Sequence, residues 1–386
     1  MKHEKIDGKE STMVILDVRL DNFYAFKNFH MNLTYPKKIV GSSIKDEHLA
    51  GYPNFRYKKV NIIMGANASG KTTFGHMLRS IFNFIVKKNY EMITDVICNR
   101  EKNAFFSLDM AFDSNTFYRI MCKITPCSDD RYTADNVKLE IRKVNITSKD
   151  SYESCVKRLE AMPYTPESNY MDELEKIEPL DWFFEYPKDT ERILGFPDLR
   201  KEKRFHRVLE NILKALDPSI ESVEVSRDVE NAYVIRLRDK AVILQDGERF
   251  TTELLSSGTK AGVEVACVVS SMLQGNYTFY YCDEKFPYIH SDIEKAVLSL
   301  MIDCIRPNSQ LFFTTHNTDI LDMNLPKHSF SFFRKDVNDA EHPILCVEAS
   351  AFLKRSTDSL KNAMENDLFS CAPAVDLIYA IADLEE

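Results

Sequence analysis

Residues 61–73 read NIIMGANASGKTT and hold the spacing Gly65-x-x-x-x-Gly70-Lys71-Thr72, which constrains this chain more than any other stretch. A glycine-bearing loop of this pattern cradles phosphate when a strand enters it and a helix leaves it. Without that context it is an ordinary strand-to-helix turn carrying a lysine. Val60, Ile62, Ile63 and Met64 form a short apolar run before the loop, as a buried strand does. After it, Phe74, Met77, Leu78, Ile81, Phe82 and Ile85 recur at helical spacing. In such an arrangement the loop's backbone N–H groups point inward as an anion nest, and the positive end of the helix adds to their field. Lys71 then reaches the β- and γ-phosphates and Thr72 ligates Mg²⁺.

A chain of 386 residues has material for one large or two to three small domains, and 44% hydrophobic with 28% charged residues suits a soluble globular protein. The opening MKHEKIDGKESTMVIL lacks a signal peptide's apolar length, and no stretch approaches the roughly 18 apolar residues that span a bilayer. A cytoplasmic location without membrane association is expected. Nine cysteines with no CxxC pair and no His/Cys cluster argue against a structural zinc or a disulfide framework. The formal charge of −9 disfavours wholesale nucleic-acid binding. One local candidate for such contact is the basic run Arg200, Lys201, Lys203, Arg204 and Arg207, whose simpler reading is a solvated helix face.

Residues 13–34 alternate apolar and polar positions and read as two strands around a turn, and 104–126 and 137–147 alternate likewise. They predict an antiparallel sheet beside the loop-bearing core. From 150 to 217 the sequence turns acidic and helix-favouring, with prolines at 163, 166, 179, 187 and 197 and no sustained heptads, and reads as a helical insertion. SVEVSR and AYVIRLRD then suggest a strand pair. The expected division is a first lobe over 13–149, the insertion over 150–217, a second lobe over 218–345 and a helical tail over 346–386.

Four segments of the second half bear on the loop. LLSSGTKAGVEVACVVSSML places Ser256, Ser257, Gly258 and Thr259 before an apolar helix, and YTFYYCDEKF is an apolar strand ending in Asp283-Glu284. FPYIHSD contains His290, and QLFFTTHNTDIL is another apolar strand ending in His316. Taken singly, these are a helix N-cap, a turn and a structural histidine. Their order behind a phosphate-loop pattern is improbable as coincidence.

With these segments the chain resembles the ABC-type ATPases, in the cytosolic branch that contains RecF, SMC and the OLD-like and abortive-infection ATPases. NFYAFKNF resembles that branch's first-strand signature, GANASGKTT its Walker A, LLSSGTK its signature motif, YYCDE its Walker B, YIHSD its D-loop and TTHNTDIL its switch-histidine strand. The resemblance implies an α/β P-loop NTPase fold, an ABC ATPase head with a RecA-like core, an antiparallel β-subdomain and a helical insertion. It implies ATP and Mg²⁺ as ligands. Gly65, Asn67, Ser69, Gly70, Lys71, Thr72 and Thr73 would surround the phosphates, and Thr72 and Asp283 would serve the metal. Glu284 would orient and deprotonate the attacking water, and His316 would sense the γ-phosphate.

The resemblance further implies that Ser256, Ser257 and Gly258 act in trans, on nucleotide held by a second copy, so a homodimer or higher homo-oligomer with shared ATP sites is expected. The chain departs from the pattern in four places. Its glutamines, Gln245, Gln274 and Gln310, lie away from the expected Q-loop. Tyr24 and Ala25 stand where a basic residue and a serine are common, and Lys285 and Ser291 replace prolines. Arg334-Lys335-Asp336 and RSTDSLKNAMENDLF resemble tail segments of abortive-infection ATPases, and the tail is too short for the TOPRIM nuclease domain of OLD-like proteins. A phage-defence ATPase that controls a separate nuclease or toxin is therefore expected. The alternatives are a DNA-repair or chromosome-associated ATPase acting on DNA, and an ATP-bound scaffold that turns over slowly or not at all.

Overall fold

The structure, a computed structural model, describes residues 12–39, 41–127, 131–165, 169–186, 204–229, 232–245, 248–249, 256–284, 286, 289–355, 357–371, 376–379 and 381. The first alternating stretch forms β1 (Met13–Asp21) and β2 (Phe29–Asn32), and a short hairpin of β3 (His48–Leu49) and β4 (Tyr52–Arg56) leads into β5 (Val60–Met64). Helix α1 (Lys71–Lys87) follows the glycine loop, then α2 (Glu91–Thr94) and three long strands, β6 (Ala104–Phe112), β7 (Thr116–Ile124) and β8 (Val137–Asn145). These build the expected antiparallel sheet, in the order β2-β1-β6-β7-β8.

The stretch read as a helical insertion holds helices α3 (Tyr152–Ala161), α4 (Tyr170–Leu174) and α5 (Phe205–Leu216), but also a strand, β9 (Trp182–Glu185). That strand lies at the edge of the central sheet, an element within the helical insertion that its acidic, helix-favouring sequence does not announce. Four residues are too few to show alternation, and the acidic helix formers around them mask an aromatic run that packs.

Beyond the insertion, β10 (Ile220–Val225), β11 (Ala232–Leu237), β12 (Lys240–Gln245) and β13 (Glu248–Arg249) form a four-stranded antiparallel sheet, extending the expected strand pair. Next come α6 (Ser257–Gln274), β14 (Phe279–Asp283), α7 (Ser291–Cys304), β15 (Gln310–Thr314), β16 (Phe330–Lys335) and β17 (Ile344–Glu348). The tail beyond β17 carries α8 (Ala349–Phe352), α9 (Leu360–Glu365) and α10 (Asp376–Tyr379).

The central sheet runs β17-β16-β5-β15-β14-β9, with β17 antiparallel at one edge and the other strands parallel. Parallel strands covered on both faces read as continuous apolar runs, which is why NIIM, FYYC and LFF carry so few polar residues. Successive side chains go to opposite faces. Ile63, Tyr281, Phe312 and Phe333 pack with Phe74 and Met77 of α1 and with Phe29 and Phe106 of the antiparallel sheet. Ile62, Tyr280, Phe313 and Phe332 pack instead with Val265 and Val268 of α6 and Leu298 of α7. Helices α1 and α6 therefore cover opposite faces. A separate core joins α5 and α6 to the four-stranded sheet through Leu209, Leu213, Tyr233, Ile235 and Val263.

The layers are tied by one buried glutamine. Gln310 accepts a hydrogen bond from the Ile15 backbone N–H at 2.6 Å and donates to the Ile15 carbonyl at 2.8 Å, fastening the central sheet to β1.

Candidate nucleotide site

The site lies at the carboxyl ends of β5, β14 and β15, which are neighbours through β15. Apolar side chains bury each strand, and the first polar residue at each end emerges beside the others. The fold is thus α/β: a mostly parallel core with its glycine loop between β5 and α1, and an antiparallel subdomain over one face.

The loop is shaped by close approach. A Cβ on Gly65 would stand 2.3 Å from the Phe333 carbonyl oxygen and 2.8 Å from Ser69 Oγ, so only glycine fits. Gly70 precedes α1 with φ +102°, a conformation that glycine adopts freely. Among the described residues no side chain caps the start of α1, and its first turn carries no acidic residue, which leaves the amides there for water or an anion. Ser69 Oγ is buried with no partner among the described residues. A cradle that excludes a methyl group, an orphaned buried hydroxyl and uncapped amides fit a bound phosphate. Asn67 is exposed beside them and Thr73 is half-buried in the first helical turn.

Lys71 is buried, and its ammonium donates to the carbonyls of Gly65 (2.9 Å) and Ala66 (3.2 Å) while lying 3.4 Å from Glu284 Oε1. Burial pulls its pKa below the ordinary lysine value, opposed by the Glu284 charge. Tyr281 of β14 donates to the Lys71 carbonyl at 2.7 Å, fixing the helix start to the sheet.

Asp283 is fully buried at the end of β14 and accepts from Thr72 Oγ1 and Thr314 Oγ1, each at 2.7 Å. Burial raises its pKa, and the two hydroxyls oppose the rise. The adjacent Thr72 and Asp283 oxygens are hard donors of the kind that suit Mg²⁺, an ion that takes few protein ligands and completes its shell with water and phosphate. Among the described residues no group of three or more His, Cys, Asp or Glu forms an all-protein cage.

Glu284 has φ +40°, which strains a residue with a Cβ by about 1–3 kcal/mol. Thr314 holds it there, its Oγ1 and carbonyl accepting from the Glu284 N–H at 3.0 and 3.3 Å. His316 Nε2 lies 2.8 Å from Glu284 Oε1 and 3.3 Å from Lys71 Nζ. The hydrogen bond from His316 holds the Glu284 carboxyl below the usual glutamate range, and Lys71 adds to the effect.

The structure therefore brings Gly65, Ser69, Gly70, Lys71, Thr72, Asp283, Glu284 and His316 together. Ser256, Ser257 and Gly258 are elsewhere. Ser256 Oγ accepts from the Thr259 N–H at 3.1 Å and caps its own helix, and Ser256 and Ser257 are exposed. Among the described residues no hydrogen bond joins these three to the loop. His290 is exposed and caps α7, accepting from the Asp292 N–H. Of the basic run, Arg200, Lys201 and Lys203 lie outside the described residues, as does Lys285, while Arg204 and Arg207 are exposed. Sequence reasoning missed Thr314, which holds both acidic residues, and Tyr281. The TT before His316 and the YY before Cys282 were the available signals, but neither shows which residue faces the site.

No protein-family model matches the chain, and no curated protein matches it. Among solved structures it is similar to an SMC head bound to the C-terminal winged-helix domain of ScpA, with TM-score 0.47 and 17% identity over 91% of this chain and 99% of that one. It is also similar to the SMC head domain from Thermotoga maritima, with TM-score 0.41 and 12% identity over 86% of this chain and 98% of that one. A third is an SMC head with an extended coiled coil, bound to the C-terminal domain of ScpA and derived from Pyrococcus furiosus, with TM-score 0.48 and 13% identity over 93% and 99%. Identities this low say nothing of activity or partner.

Proposed function

We propose that this chain is a cytoplasmic ATP-binding and ATP-hydrolysing subunit. The observation that carries the reading is the convergence of Lys71, Thr72, Asp283, Glu284 and His316 around one uncapped helix start. Phosphoryl transfer needs positioning and charge more than covalent chemistry, and this constellation offers both. Lys71, raised on the Gly65 and Ala66 carbonyls, meets the terminal phosphates. Thr72 and Asp283 hold Mg²⁺, which when bound neutralises charge on the phosphates. Glu284 orients the attacking water and takes its proton, and His316 aligns the two.

Lys71 is shared between the loop carbonyls and Glu284. A phosphate that draws the ammonium away removes part of what depresses the Glu284 pKa, so substrate arrival strengthens the base.

The opposite placement of α1 and α6 supports a shared site: one chain's Ser256, Ser257 and Gly258 meet nucleotide on another chain's loop in a homodimer or larger homo-oligomer. We further propose that the assembly is the ATP-operated part of a bacterial anti-phage, abortive-infection system that restrains a separate nuclease or toxin. The tail segments' resemblance supports this. Within that tail, α9 is attached to the residues after His316, where Lys361 Nζ lies 2.7 Å from Asp322 and 3.4 Å from Asp319.

Glu284→Gln tests the reading. Phosphate release is expected to drop by roughly 10²–10⁴-fold, as when a general base is lost, and the variant's mass with ATP is expected to rise to that of the paired chains. Unchanged turnover would remove Glu284 from the chemistry.

A further inference from the structure

His316 reaches Lys71 and Glu284 from an extended segment whose neighbouring side chains point the other way, toward α7. Both neighbours end on one buried carboxylate. Thr315 Oγ1 donates to Glu294 Oε1 at 2.6 Å and Asn317 Nδ2 donates to Glu294 Oε2 at 2.7 Å. Glu294 is buried, on the first turn of α7. The Asn317 N–H also donates to Thr315 Oγ1 at 3.0 Å, closing a ring under the histidine. One turn-start earlier, Ser291 Oγ accepts from Asn317 Nδ2 at 3.0 Å and donates to Asp319 Oδ2 at 2.7 Å.

A buried carboxylate costs desolvation free energy, and an apolar residue of similar volume would fill the space without that cost. Its two oxygens are spent on the residue before and the residue after His316, and among the described residues no lysine or arginine hydrogen-bonds to them. That geometry serves orientation. A backbone pinned on both sides leaves the imidazole little freedom, and misplacement by about 1 Å in a catalytic constellation costs up to about 10²-fold in rate.

We propose that Glu294 is a positioning residue: it clasps Thr315 and Asn317 and so holds the His316 imidazole against Glu284. This deepens the ATP-hydrolysis reading above and rests on it.

The test observes the His316 ring by NMR in histidine-labelled protein, with the signal assigned by its loss in His316→Gln, alongside steady-state ATP turnover. In the wild type, Glu284→Gln replaces the charged 2.8 Å partner by a neutral amide and shifts the His316 resonance. In a Glu294→Ala background the same substitution is expected to produce less than about half that shift, with kcat for ATP down about tenfold and KM changed by less than about twofold. Glu294→Gln, whose amide oxygen still accepts from Asn317, should restore most of both. An equal Glu284→Gln shift with and without Glu294 overturns the proposal, as does a KM that rises in step with the loss of kcat. Should Glu294→Ala fail to fold, Asn317→Ala opens half of the clasp from a half-buried position and is read the same way. Absence of phosphate release from the wild type would instead count against the ATPase reading, and the resonance shifts would still decide the role of Glu294.

Discussion

Helices α1 and α6 each begin with small and hydroxylated residues, yet they are equipped differently. The start of α1 is enclosed by its own chain: Lys71 is buried, Tyr281 anchors it, and Asp283, Glu284 and His316 stand within hydrogen-bond reach of its first residues. The start of α6 is capped by Ser256 and exposed, on the other face of the central sheet. Enclosure makes pKa values shift and geometry hold, whereas an exposed, capped helix end has nothing to act on until something is brought to it. One end is a site already assembled, and the other is, on the proposed reading, the complementary surface for one.

Removing Lys71 breaks the assembled end most. Lys71→Ala deletes charge-assisted hydrogen bonds worth roughly 1.5–3 kcal/mol, so ATP binding measured by calorimetry should weaken by on the order of a hundredfold, with the fold intact. Retained affinity would mean that the enclosed end does not hold the phosphates.

A smaller effect sharpens the role of packing. A Cβ on Gly75 would stand 2.5 Å from the Tyr281 ring, directly behind the bond to the Lys71 carbonyl. Gly75→Ala should cost about 1–3 kcal/mol in denaturant unfolding and weaken ATP binding with it, because the overpacked ring displaces the helix start. Loss of stability without loss of binding would show that this anchor is not needed.

The smallest effect is electrostatic and confined to the enclosed end. The folded pKa of Glu284 lies below its ordinary value of 4.5, so the unfolded chain binds that proton more readily. The resulting stability is present above that value and lost as pH falls through the folded pKa. The stability difference between wild type and Glu284→Gln should therefore be less than about 1 kcal/mol near neutrality and narrow as the solution is acidified below about 4.5. A difference independent of pH would place the effect in packing.

How far the chain could be read before folding follows the same contrast. Lys71, Asp283, Glu284 and His316 sit at the ends of apolar strands, so a run of buried residues followed by a polar one locates each, and parallel strands bring those ends together. Local pattern carries no information on which threonine faces inward, and Thr314 and Thr315 are adjacent yet bind Asp283 and Glu294 on opposite sides. Strand β9 was hidden because its placement depends on β14, almost a hundred residues later. Gln310, the glutamine whose position matters to the layers, serves a tertiary tie to Ile15 that no spacing announces.

The central claim is that the enclosed end of one copy is completed by the exposed end of another. The most direct measurement mixes two inactive chains, Lys71→Ala, which cannot hold phosphate, and Ser256→Arg, which cannot close over it, and follows phosphate release. Random pairing makes half of the dimers mixed, each with one intact composite site of two, so turnover should return to about a quarter of the wild-type value in the mixture. A Ser256→Arg chain that is fully active alone, or a mixture no more active than its parts, would contradict the account.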